Sequence, residues 1–204
     1  MFAQDRLSID RRACARCLHL RVLLAALILL ASIWPDNTHA DQSGEFLVED
    51  AHAWTEAGLQ RLDAQFTIRL SSGAREALEN GLPLVFELQV QLVKTHKWFW
   101  DSVDVDLTQR RQLQYHALSR SYLVKNLDSG TQGNYRGLDD ALRAAGTIQN
   151  LVLTNAPLQP GRRYLVRIRG SLDIESLPTP VRLLAYVSSA WDMQSEWYAW
   201  PLVR

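Results

Sequence analysis

"LPLVFELQVQLVKTHKWFW", residues 82–100, places apolar side chains at Leu82, Leu84, Phe86, Leu88, Val90 and Leu92, with Glu87, Gln89 and Gln91 between them. A period of two sends the two sets to opposite faces of an extended chain, which defines a strand with one buried and one wet face. Carried forward, the even phase passes Lys94 and His96 and reaches Trp98 and Trp100, leaving Phe99 on the polar face. The polar pair predicts a bend or bulge near Thr95. The shift of apolar positions to Val103, Val105 and Leu107 predicts a turn at Asp101 and Ser102. Trp98 and Trp100 are then expected to close the end of a core with one edge wet, a place that suits amphipathic rings.

The same alternation recurs in residues 60–70, where Leu62, Ala64, Phe66, Ile68 and Leu70 oppose Arg61, Asp63, Gln65, Thr67 and Arg69. In residues 162–173, Tyr164, Val166, Ile168 and Leu172 oppose Arg163, Arg167 and Arg169. Shorter candidate strands cover residues 46–50, 103–107, 113–124, 148–154, 181–187 and 197–202, with Arg110 and Arg111 in a turn after Leu107. Two segments break the period. "SSGAREALENG" offers an N-cap at Ser71 or Ser72 and a stop at Gly81. "GLDDALRAAG" aligns Leu138, Ala141, Leu142 and Ala145 on one helical face. A parallel α/β sheet would show continuous apolar strands. The expected fold is therefore mainly β: an antiparallel two-sheet β-sandwich, immunoglobulin-like in style, with two short connecting helices.

The N-terminus has a different character. Arg6, Arg11, Arg12, Arg16 and Arg21 precede the apolar run "VLLAALILLASIW", residues 22–34, and Thr38 and Ala40 stand where a signal peptidase needs small residues. Residues 1–40 are expected to be a signal peptide cut after Ala40, and residues 41–204 a single mainly-β domain in the periplasm. The alternative is an uncleaved inner-membrane anchor, although the run is shorter than the roughly 20 residues a spanning helix needs. Cys14 and Cys17 both precede the run, so the expected mature chain has neither disulfide nor thiol nucleophile. Removing the five arginines leaves 17 basic residues, and removing Asp5, Asp10 and Asp36 leaves 19 acidic ones, so the net charge is about minus two. Nucleic-acid binding requires a strong basic surplus and is not expected.

Catalytic and metal signatures are missing. His52, His96 and His116 are isolated in the sequence, and no G-x-S-x-G, S-x-x-K or phosphate-cradling loop occurs. Asp101, Asp104 and Asp106 lack the glycine turn and distal glutamate of a calcium loop and read as a solvated strand face. No enzyme activity, cofactor or metal is expected. The candidate partner or ligand contacts are aromatic and cationic: Trp98, Phe99 and Trp100, a second group of Trp191, Trp197 and Trp200, and the strand-face pair Arg167 and Arg169. Membrane contact is expected only through an uncleaved N-terminus or the arginine face.

The segments "WFWD" (residues 98–101), "QRRQLQYHALSRSYLV" (109–124), "LDDAL" (138–142), "SLDIESLPTPVRL" (171–183) and "SSAWDMQSEWYAW" (188–200) resemble a proteobacterial exported family catalogued as domain of unknown function 4390. The resemblance implies an envelope protein of Gram-negative bacteria, often encoded beside a membrane sensor histidine kinase and its response regulator. It carries no catalytic residues. The leading reading is a non-enzymatic envelope interaction protein, accessory to such a kinase. The alternatives are a small-ligand or lipid-binding module with rings lining a pocket between the sheets, and an envelope hydrolase using His116 or His96.

Overall fold

The computed structural model describes residues 43–96 and 100–202. Nine strands and three α-helices follow one another as β1 (Glu45–Glu56), β2 (Leu59–Arg69), α1 (Ser72–Glu79), β3 (Leu84–Thr95), β4 (Ser102–His116), β5 (Ser121–Asn126), β6 (Gln132–Tyr135), α2 (Leu138–Ala145), β7 (Thr147–Thr154), β8 (Arg163–Leu172), α3 (Thr179–Ala185) and β9 (Tyr198–Pro201). Two antiparallel sheets result, a three-stranded one in the order β1-β2-β7 and a six-stranded one in the order β6-β5-β4-β3-β8-β9. The protein is a mainly-β, two-sheet antiparallel sandwich.

Alternation decides which residues meet between the sheets. Leu84, Phe86, Leu88, Val90 and Leu92 of β3 are buried, as are Leu62, Ala64, Phe66 and Ile68 of β2 and Tyr164, Val166 and Ile168 of β8. Phe46 of β1 crosses to the larger sheet and meets Phe86 edge-on, with ring centroids 5.7 Å apart. The inward position at residue 170 is glycine because that ring occupies the space: a Cβ there would lie 2.5 Å from Phe46. The β1–β2 hairpin turns on Ala57 and Gly58, both at positive φ, which suits the right-handed twist of the flanking strands.

The smaller sheet leaves part of the larger one uncovered, and the helices fill the gap. Ser71 caps α1, its hydroxyl accepting from the Ala74 amide at 3.1 Å. Helix α2 buries Ala141, Leu142 and Ala145 and packs against β2, β4, β5 and β6. The chain leaves α2 through Gly146, whose carbonyl accepts from the Phe66 amide at 2.8 Å. A Cβ at Gly146 would stand 2.3 Å from the Phe66 carbonyl oxygen. Gly146→Ala is therefore expected to cost about 1–3 kcal/mol, the usual range for overpacking. Gly73→Ala in α1 meets only ordinary contacts, the nearest at 3.7 Å, and is expected to be neutral or to stabilise by about 0.5 kcal/mol. Thermal or urea unfolding of the pair checks both signs.

Two expectations change, and one strand was not foreseen. Residues 103–107 and 113–124 are not two strands divided by a turn: β4 runs unbroken through Arg110 and Arg111, and β5 follows separately. The odd phase continues through Gln109 and Arg111, so polar residues on an inward face imitated a turn. Arg111 is only 8% exposed. It donates to Gln109 at 3.2 Å and lies 3.6 Å from the Asp128 carboxylate. Burial pushes its pKa down, opposed by Asp128. Residues 181–187 are not a strand, because Thr179–Ala185 is a helix with Pro180 in its first turn, where a missing N–H costs nothing. The short edge strand β6, Gln132–Tyr135, was hidden by its glycine and its length.

Candidate outward face of the six-stranded sheet

The outward side chains of β3 pair with arginines of β8 on one side and with β4 on the other. Gln91 stands opposite Arg167 and Asp106, and Gln89 opposite Arg169 and Thr108. Arg167 Nε donates to Gln91 Oε1 at 2.6 Å, and Gln91 Nε2 donates to Asp106 Oδ2 at 2.7 Å. Arg169 Nη2 donates to Gln89 Oε1 at 3.0 Å, and Gln89 Nε2 donates to Asp106 Oδ1 at 2.9 Å. Two parallel relays thus run from β8 through β3 and converge on one carboxylate of β4. They cover Gln91, which is 6% exposed although it lies on an outward face.

Trp197, one residue before β9, lies over β8. The Arg167 guanidinium is 4.6 Å and that of Arg169 4.7 Å from the indole ring, so one ring holds two cations by cation–π attraction. The result is an arginine–tryptophan clasp. Glu87, further along β3, has its pKa raised by burial first and by Asp173 second, with Arg110 and Arg169 opposing. A raised folded pKa means that the folded state holds the proton more tightly than the unfolded chain. The stability this group contributes is full at acid pH and falls as pH rises from about 4.5 through the folded value. Glu87→Gln is expected to remove that decline, so the stability difference between variant and parent grows with pH across this window and then levels off. Urea midpoints measured from pH 4 to pH 8 check it.

The other aromatic candidates separate sharply. Trp100 lies in the β3–β4 connection, residues 96–101, and is 95% exposed. Its expected role in closing the core is corrected. The strand ends at Thr95, and the His96 amide donates to Asp101 Oδ1 at 3.1 Å. The irregularity expected in β3 near Thr95 falls instead on the neighbouring strand: β3 pairs with β8 without a break through Thr95, while Asp104 of β4 is extra opposite Leu92 and Val93 and neutralises Lys94 at 3.3 Å. Trp98 and Phe99 lie outside the described residues. Trp191, expected as a contact, is 9% exposed and belongs to the core. It sits in a 3₁₀ turn (Ser189–Trp191) against α1, with its Nε1 3.7 Å from where a Cβ of Gly73 would be. Trp200 is half-buried, on the inward side of β9 beside Tyr198, with ring centroids 5.6 Å apart.

The space between the sheets is filled by Phe46, Phe66, Phe86 and their aliphatic neighbours, all buried. A groove of about 490 Å³ lies outside it, against Tyr186, Val187, Trp191 and Met193. Beside it α3 and the two residues after it expose Leu183, Leu184, Tyr186 and Val187, a patch concealed in the sequence when residues 181–187 are read as a strand. His96 and His116 lie at opposite ends of the β3–β4 hairpin, since Leu84 pairs with Leu113 and Lys94 with Ser102. His52 lies 3.5 Å from Asp50 and 4.0 Å from Asp63 on the other sheet and stacks on Trp54, a grouping that only the β1–β2 register reveals. Among the described residues no group of three or more His, Cys, Asp or Glu is placed to hold a metal ion.

A two-sheet antiparallel sandwich with a cationic, aromatic outward face is the class these observations define. The chain belongs to the family described as domain of unknown function (DUF4390), which matches residues 43–201 and so spans the whole sandwich. No curated protein and no solved structure matches it.

Proposed function

We propose that the domain is a non-enzymatic binding protein of the periplasm or cell envelope that docks onto a protein partner, such as the outer part of a membrane sensor kinase. The observation that carries this reading is Trp100, 95% exposed next to Asp101, which accepts from the His96 amide. A large apolar ring held out in water gains more than most side chains from being covered, and tryptophan is prominent among interface hot spots. The basic segment, apolar run and small-residue site before residue 41 support export, and no helix among the described residues is long and apolar enough to cross a membrane.

The test is in-cell photocrosslinking with a probe at Trp100, and with one at exposed Gln149 of β7 as the control. A discrete protein adduct at Trp100 alone is expected, and its mass identifies the partner. Equal labelling at both positions, or none at Trp100, overturns the docking reading.

A further inference from the structure

We propose that Arg167 and Arg169 bind the carboxylates of an extended acidic segment on the partner protein. The proposal rests on the docking reading above and gives the partner its chemistry. Each guanidinium is bonded on one side only, and to a neutral amide: Arg167 to Gln91 and Arg169 to Gln89. The carboxylate that ends both relays, Asp106, is held by the amide groups of those glutamines and not by either arginine. Glu87 influences Arg169 electrostatically but lies beyond ion-pair distance. Among the described residues, therefore, neither cation has a carboxylate partner. The Arg169 Nε is shielded from solvent with no hydrogen-bond partner there. Partly buried charges are ordinarily paired, and Trp197 supplies attraction without an acceptor.

Besides the Arg169 Nε, the unused donors are both Nη groups of Arg167 and Nη1 of Arg169, in the planar fork that matches carboxylate oxygens. The two arginines are two residues apart on one strand, roughly 6.6 Å. Acidic side chains at alternate positions of an extended peptide have the same spacing, so Glu-x-Glu on a partner strand presents one carboxylate to each cation. An open sheet face does not enclose a small solute, which favours an anion carried by a larger body.

The probe is a fluorescein-labelled (Glu-Ser)3 peptide, with (Gln-Ser)3 as its neutral counterpart, titrated by polarisation into the protein purified after expression of the full chain. Saturable binding of the glutamate peptide only is expected, weakening as salt rises. Binding at least tenfold weaker is expected in Arg167→Gln/Arg169→Gln, and unchanged binding in Arg69→Gln on the other sheet. In the unaltered protein, the Arg169 Nε–H resonance is expected to shift saturably with the peptide, a readout independent of whether the double variant folds.

Equal binding by the double variant, or an unmoved Arg169 resonance, overturns the proposal. So does displacement of the peptide by inorganic phosphate or phosphatidylglycerol vesicles at concentrations below its own. A Trp100 adduct that persists in the double variant, with no peptide binding by the parent, overturns the carboxylate assignment and leaves the docking reading in place. Arginine-dependent peptide binding without any Trp100 adduct upholds the clasp and overturns the docking reading.

Discussion

Phe86→Ala is expected to lower the unfolding free energy by about 3–5 kcal/mol, the range for emptying a large aromatic site in a core. Phe86 is fully buried, lies on β3 in the middle of the six-stranded sheet and meets Phe46 of the opposite sheet edge-on. Its removal withdraws apolar area from the core and leaves a void that the paired strands β4 and β8 cannot close, because their ladders hold them on either side. With a whole domain stable by about 5–15 kcal/mol, this is a large fraction of the total. Urea denaturation is expected to show a lower midpoint with an unchanged slope. A loss below about 1 kcal/mol would contradict the burial of Phe86 between the two sheets.

Trp191→Ala is the second large effect, about 3 kcal/mol, at the lower end of the range because one edge of the ring reaches the surface. The ring lies against α1 at Gly73 and lines the groove shared with Tyr186, Val187 and Met193. Its loss frees the long excursion between β8 and β9. Trp100→Ala, by contrast, is expected to change stability by less than about 0.5 kcal/mol, since an exposed side chain leaves no void. The two variants together separate aromatic residues that hold the fold from one that is available to a partner. If Trp191→Ala were neutral and Trp100→Ala destabilising, the assignment of core and surface would be reversed.

Much of the fold was legible because one interaction dominates it. Burial of one face of a strand writes a period of two into the sequence, and β2, β3 and β8 were read from it nearly to their ends. Helices α1 and α2 were legible for a local reason, since the N-cap serine of α1, the first-turn acids of α2 and the glycines that follow both helices act within one turn. Where polar residues occupy inward positions, as Gln109 and Arg111 do in β4, the pattern fails, because their burial depends on partners such as Asp128 that are distant in sequence. Helix α3 was misread for a related reason. Its exposed Leu183 and Leu184 put apolar residues on its solvent side, so periodicity could not distinguish it from a strand.

The candidate site divides along the same line. The sandwich class, the outward placement of Arg167 and Arg169, and the family are written along the chain, because strand alternation and extended motif order are properties of neighbouring residues. Long-range packing sets which tryptophans are core: Trp100 lies beyond the end of β3 at Thr95, Trp191 is drawn inward against α1, and Trp197 is laid over the two arginines. It also decided that Gln89 and Gln91, rather than acids, receive those arginines. The physical reason is that a ring's exposure and a cation's partner depend on what the paired strands bring beside them. The pairings of β8 with β3 and β9 join residues separated by long stretches of chain, and no local period records them.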